Sequence, residues 1–82
     1  MIKVLFFAQI RDQLATSELQ MASDENSSVQ ALLSNLKARD DKWNRVLSNT
    51  RLMVAVNQTI CNDNVDLHSG DEVAFFPPVT GG

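Results

Sequence analysis

The first apolar positions of the chain fall on every second residue. In IKVLFFA, Ile2, Val4 and Phe6 share one face, and Lys3, Leu5 and Phe7 share the other. This period predicts a strand over residues 2–8, and Lys3 marks its second face as the outer one. QIRDQLA then carries Ile10 and Leu14 at helical spacing, enough for one or two helical turns. TSELQMA alternates again, with Leu19 and Met21 pointing one way, and predicts a strand that returns beside the first.

The polar stretch SDENSS predicts a loop. Ser27 is the predicted N-cap of the next helix, with Gln30 three residues on completing a capping box. In VQALLSNLKAR, Val29, Leu32, Leu33 and Leu36 form one apolar stripe, and Lys37 and Arg39 suit the negative end of the helix dipole. DDKWNRVLSN adds Trp43, Val46 and Leu47 as buried anchors at helical spacing. RLMVAV returns to period two, with Leu52, Val54 and Val56 on one face and Met53 and Ala55 on the other. Asn57-Gln58 reads as a turn because Asn tolerates a left-handed backbone. TICNDNVDL gives at most one short strand, and HSGD is a turn. DEVAFF is the last strand; Pro77-Pro78 ends it because neither proline has an N–H to donate.

The order strand, strand, helix, strand, short strand, strand predicts an α+β fold. It has one main amphipathic helix on one face of a mixed sheet, in the β-grasp (ubiquitin-like) order. The predicted domain covers residues 1–76, and residues 77–82 form an extended C-terminal tail.

Two pairs of adjacent phenylalanines carry a further consequence. Neighbours on a strand face opposite ways, so Phe6 and Phe75 in the core leave Phe7 and Phe76 outside, with Leu5 and Met53. The first and last strands of a β-grasp sheet are neighbours. The four side chains should therefore form one exposed apolar patch of the kind that marks a partner site. Two conditions would undo it: the 40–49 segment or a loop folding over that face, or a bulge in the last strand that exchanges Phe75 and Phe76.

Composition narrows the chemistry. The chain has 82 residues and a net charge of −3, which opposes nucleic acid as a partner. Its longest apolar run, residues 4–8, is far short of the ~20 residues of a membrane span. The N-terminus lacks a signal-peptide pattern, and Cys61 is the lone cysteine, so a cytoplasmic location and no internal disulfide are expected. Arg51 is the last Lys or Arg. The remainder carries Asp63, Asp66, Asp71 and Glu72, either as a solvated surface or as a means of steering toward a basic partner.

No self-contained active site is encoded. His68 sits in a turn signal with no cysteine or second histidine beside it, so no metal site is expected. Cys61 has no neighbouring cation in sequence and reads as an ordinary thiol. No nucleotide-binding glycine motif is present. What remains is the tail, Pro77-Pro78-Val79-Thr80-Gly81-Gly82. Prolines give it a stiff base, and its six residues reach up to about 20 Å when extended. The tip lacks side chains and can enter a slot closed to other residues. Its reactive group is the α-carboxylate of Gly82, ionised at neutral pH and a poor electrophile until activated, for instance as an acyl-adenylate.

The opening IKVLFFAQIRDQL, the strand LMVAVNQ and above all the close GDEVAFFPPVTGG resemble the molybdopterin synthase small-subunit family, ubiquitin-like sulfur carriers. The resemblance runs the whole length. It implies that an adenylyltransferase resembling ubiquitin-activating enzymes adenylates Gly82, next to Gly81, with ATP. Sulfur from a cysteine desulfurase or rhodanese-type donor would then make a thiocarboxylate. It implies further that the tail enters a large synthase subunit, which holds the catalytic residues, and gives its sulfur to cyclic pyranopterin monophosphate. Two carriers are needed per dithiolene, in a heterotetramer of two small and two large subunits. No cofactor is bound permanently. Leu5, Phe7, Met53, Phe76, Pro77, Pro78, Val79 and Thr80 are the expected partner contacts. The rival readings are a thiamine-pathway sulfur carrier, a ubiquitin-like protein modifier and a binding module with an inert tail.

Overall fold

Ile2, Val4 and Phe6 are all but inaccessible to solvent in strand β1 (Ile2–Phe6), as their alternation requires. The computed structural model describes residues 1–48, 51–61 and 63–78. The chain continues through α1 (Ala8–Leu14), β2 (Glu18–Met21), a 3-10 turn (Ser23–Glu25), α2 (Val29–Lys37) and α3 (Asp41–Leu47). It ends in β3 (Met53–Val56), β4 (Thr59–Cys61) and β5 (Glu72–Phe76).

The five strands form one sheet in the order β2-β1-β5-β3-β4. The central pair, β1 and β5, is parallel and joins the two ends of the chain; the other pairs are antiparallel. This is the β-grasp arrangement that the strand order predicted. The helices lie on one face. Ile10 and Leu14 of α1, Val29, Leu32 and Leu36 of α2, and Trp43 and Leu47 of α3 pack with Ile2, Val4, Phe6, Val73 and Phe75 in a single core. Each large side chain so enclosed contributes roughly 1.5–3 kcal/mol.

The helical layer is broader than one main helix. Trp43 meets Phe6 edge-on at 5.5 Å between ring centroids, which places α3 on the core side of the sheet. Helix α3, the described body of the 40–49 segment, therefore does not cover the opposite face. Leu33 and Val46, expected in the core stripe, are only half-buried at its margin.

The N-cap of α2 is Ser28, whose hydroxyl accepts the Ala31 N–H, so Ser27 and Gln30 do not form the expected capping box. Backbone pairing decides this. The Ser27 carbonyl accepts the Leu67 N–H at 2.8 Å, and Ser28 bridges to Asp66, so the chain stays extended through Ser28. The Gln30 N–H goes instead to the Asn64 side chain. Asp40 caps α3 through the Trp43 N–H. The β3–β4 turn is made by Asn57 and Gln58, both with positive φ (50° and 70°), as a two-residue hairpin loop with matching twist requires.

Candidate functional site

The sheet face away from the helices is apolar where β5 ends. Pairing registers build it row by row. Met53 stands opposite Phe76; Leu5, Ala74, Ala55 and Ile60 form the next row; Lys3 and Glu72 form a polar row beyond. The β1–β5 register is continuous from Lys3↔Glu72 to Phe6↔Phe75, so no bulge intervenes and Phe75, not Phe76, is in the core. Phe7 extends β1 by one hydrogen bond, its N–H donating to the Phe75 carbonyl at 3.2 Å. The residue is 45% exposed, a high value for so large an apolar group. Leu5, Met53 and Phe76 are half-buried by one another and their neighbours.

The structure thus brings Leu5, Phe7, Met53 and Phe76 together as their alternation predicts. It adds Ala55, Ala74 and Ile60, which the sequence reading did not single out. Ile60 is 55% exposed. A usable signal was present: a two-residue turn at Asn57-Gln58 pairs Val56 with Thr59 and so sets Ile60 opposite Ala55. Ala55 is buried without belonging to the core cluster, because it lies between Ala74 and Ile60 on this outer face. The two alanines make a low floor flanked by Leu5 and Ile60.

Pro77 and Pro78 follow directly and are half-buried. The predicted contacts Val79 and Thr80, and the predicted reactive residues Gly81 and Gly82, lie outside the described residues.

The acidic residues of the last third have a different setting. Asp71 precedes β5, at the end away from Phe76. Its carboxyl accepts the His68 backbone N–H at 2.8 Å and the Asn57 side-chain N–H at 3.1 Å. These bonds hold its pKa below the usual carboxylate value, the first more strongly than the second; burial opposes them, and the charge of His68 adds a smaller lowering. The Asn57 carbonyl oxygen also accepts the Glu72 N–H, so this cluster ties the β3–β4 turn to the start of β5. His68 is exposed beside it, with Nδ1 3.9 Å from the Asp71 carboxylate. Among the described residues no group of His, Cys, Asp or Glu could hold a metal ion. The half-buried Cys61 thiol donates to the Thr59 carbonyl. No helix among the described residues is long and apolar enough to cross a membrane.

The ThiS family pattern matches residues 4–82, from the first strand to the last residue of the tail. The chain belongs to the ThiS family. Over 82 residues, the whole of both chains, it is 49% identical to the molybdopterin synthase sulfur carrier subunit of Escherichia coli. Its fold is shared with the small archaeal modifier protein 1 of Methanosarcina acetivorans, at a TM-score of 0.80 and 22% identity over 99% of this chain and 95% of that one. It is shared too with a chain from the complex of subunits 1 and 2 of the molybdopterin-converting factor of Helicobacter pylori, at a TM-score of 0.72 and 21% identity over 99% and 97%. A modifier protein and a converting-factor subunit thus have one fold, so function is decided by the residues upon it.

Proposed function

We infer that this chain is a sulfur carrier in molybdenum cofactor biosynthesis, working from its C-terminal glycine as the small subunit of a molybdopterin synthase. The observation that carries the reading is the 49% identity to a sulfur carrier subunit across the full length of both chains. The alignment behind that identity runs through residue 82 and so spans the tail.

The chemistry follows from what the tail contains. The Gly82 carboxylate is an anion at neutral pH and resists attack by a second anion. Attack of that carboxylate on the α-phosphate of ATP, in a partner adenylyltransferase, releases pyrophosphate and leaves a mixed anhydride. The persulfide of a donor protein of the cysteine desulfurase or rhodanese type then displaces AMP to give an acyl disulfide, and a thiol cleaves its S–S bond, releasing the thiocarboxylate and ending as a disulfide with the donor sulfur. Within the large subunit, the terminal sulfur passes to cyclic pyranopterin monophosphate, and two such deliveries complete the dithiolene in an assembly of two small and two large subunits. Catalytic groups come from the partners. This chain contributes a sulfur that cannot diffuse away and that is presented at high effective concentration.

The apolar outer face suits the docking step. Leu5, Phe7, Met53 and Phe76, with Ile60 beside them, adjoin the residue from which the tail departs. Binding there fixes the base of the tail, and Pro77-Pro78 limits the freedom lost when its tip is ordered. One face serving successive partners makes the adenylyltransferase and the large subunit compete. The chain works in the cytoplasm, where ATP and the sulfur donor are at hand.

Intact mass after incubation with ATP, the adenylyltransferase and a sulfur donor tests the reading. Exchange of one oxygen for sulfur at the C-terminus is expected. An amide link to another protein would make the chain a modifier, and an unchanged mass would leave the tail inert. Transfer of the sulfur to the molybdopterin precursor rather than to a thiamine precursor then distinguishes the two carrier pathways.

A further inference from the structure

We propose that Ala8 is a positioning residue for the docking face: a left-handed elbow that holds Phe7 outward for the large subunit. The proposal rests on the docking role given to that face above.

The path of the backbone carries the argument. Phe7 is the last extended residue after β1, with φ −124° and ψ 157°. Ala8 has φ +53°, a region that a residue with a Cβ seldom occupies. By Ile10 the chain faces the other way and is buried. The change from outer face to core is thus made largely at one residue. Hydrogen bonds hold the elbow on both sides. The Phe7 N–H donates to the Phe75 carbonyl at 3.2 Å, and the Phe7 carbonyl accepts the Arg11 N–H at 3.3 Å. Phe7 is therefore pinned through its backbone, while the residue as a whole stays 45% exposed and its ring is restrained little by packing.

Backbone strain retained beside an exposed apolar side chain points to function. A turn needed only to start α1 would be easier with glycine, which takes positive φ freely. Alanine confines the elbow to a narrow left-handed well. The Cα–Cβ bond of Phe7 then has one direction, set before the partner arrives, and docking has only the ring's rotamer left to order.

A double-mutant cycle tests this on the full chain, with affinity for the molybdopterin synthase large subunit measured by calorimetry. Phe7→Ala weakens binding. Ala8→Gly weakens it roughly two- to five-fold, the equivalent of the freedom that glycine adds at one residue. In the Phe7→Ala background, Ala8→Gly has no further effect. Ala8→Asn, which tolerates the left-handed region, binds like the native chain. Hydrogen exchange at the Arg11 N–H is faster in Ala8→Gly while the melting temperature is not lowered. Native affinity for Ala8→Gly, with Phe7→Ala weakened, overturns the proposal and leaves the docking face standing. Equal losses in both backgrounds reduce Ala8 to a structural role and also overturn it. Native affinity for Phe7→Ala removes the docking role of Phe7, and the proposal with it.

Discussion

Phe6 and Phe75 stack across the parallel pair β1–β5, with ring centroids 5.9 Å apart and planes 18° from parallel. Both are buried almost completely. This pair locks the register of the strands that join the two ends of the chain. A slip of β5 by one residue would turn Phe76 and Glu72 toward the core and Phe75 out of it.

The pair separates two kinds of phenylalanine, and truncation should separate them too. Phe75→Ala leaves a cavity and costs about 3–5 kcal/mol of stability, measured by urea unfolding. Phe76→Ala, on the outer face, should cost much less stability and weaken affinity for the large subunit and the adenylyltransferase. Unchanged affinity for both partners would remove Phe76 from the docking face.

Deletion of Gly82 should leave the melting temperature unchanged and abolish sulfur loading, because Gly82 carries the carboxylate to be loaded and follows β5 (Glu72–Phe76) in the sequence with Pro77 and Pro78 between. Circular dichroism and intact mass check the two halves. Loss of the folded state on deletion would contradict the separation of tail from domain.

Ala15 should accept glycine with a gain. It follows α1 with φ +52°, and its N–H and that of Thr16 close on the Asp12 and Arg11 carbonyls in a Schellman turn. Ala15→Gly removes the steric penalty of a Cβ in that conformation and should raise stability by about 1 kcal/mol. A lower melting temperature would show that unfolded-chain entropy outweighs the relief.

Asn26 is the buried polar side chain of the loop before α2. It donates to the Ala22 carbonyl at 2.6 Å and accepts from the Asn35 side chain at 2.9 Å. Asn26→Ala removes both bonds and leaves Asn35 without that acceptor. A loss of about 1–3 kcal/mol in urea unfolding is expected, and Asn26→Asp should recover part of it.

Asp71 gives acid stability a direction. Its pKa is lowered in the folded chain, so the unfolded chain takes up the proton first as pH falls. Its stabilising contribution is full above the unfolded carboxylate value of about 3.9 and is lost as pH falls through the folded value. Urea unfolding of the native chain and of Asp71→Asn should therefore differ most near neutrality and converge in acid. A constant difference across that range would exclude Asp71 as the titrating group.

The sequence by itself determined the strands, the helical stripe through Val29, Leu32 and Leu36, and the division of each phenylalanine pair. These follow from side-chain period, a local property that survives whatever the chain packs against. The chemistry proposed for the tail is argued from the Gly82 carboxylate and two prolines, which are equally local. Packing and pairing between distant segments decided the rest. Ser28 took the cap from Ser27 because the chain near Leu67 pairs with Ser27 and holds the backbone extended. Ile60 joined the apolar face only through its register with Ala55, and α3 went to the core side because Trp43 found Phe6. Ala8 kept a left-handed backbone that alanine resists, because β5 holds the residue before it and α1 the residues after. These outcomes rest on contacts between residues far apart along the chain, which no local period records.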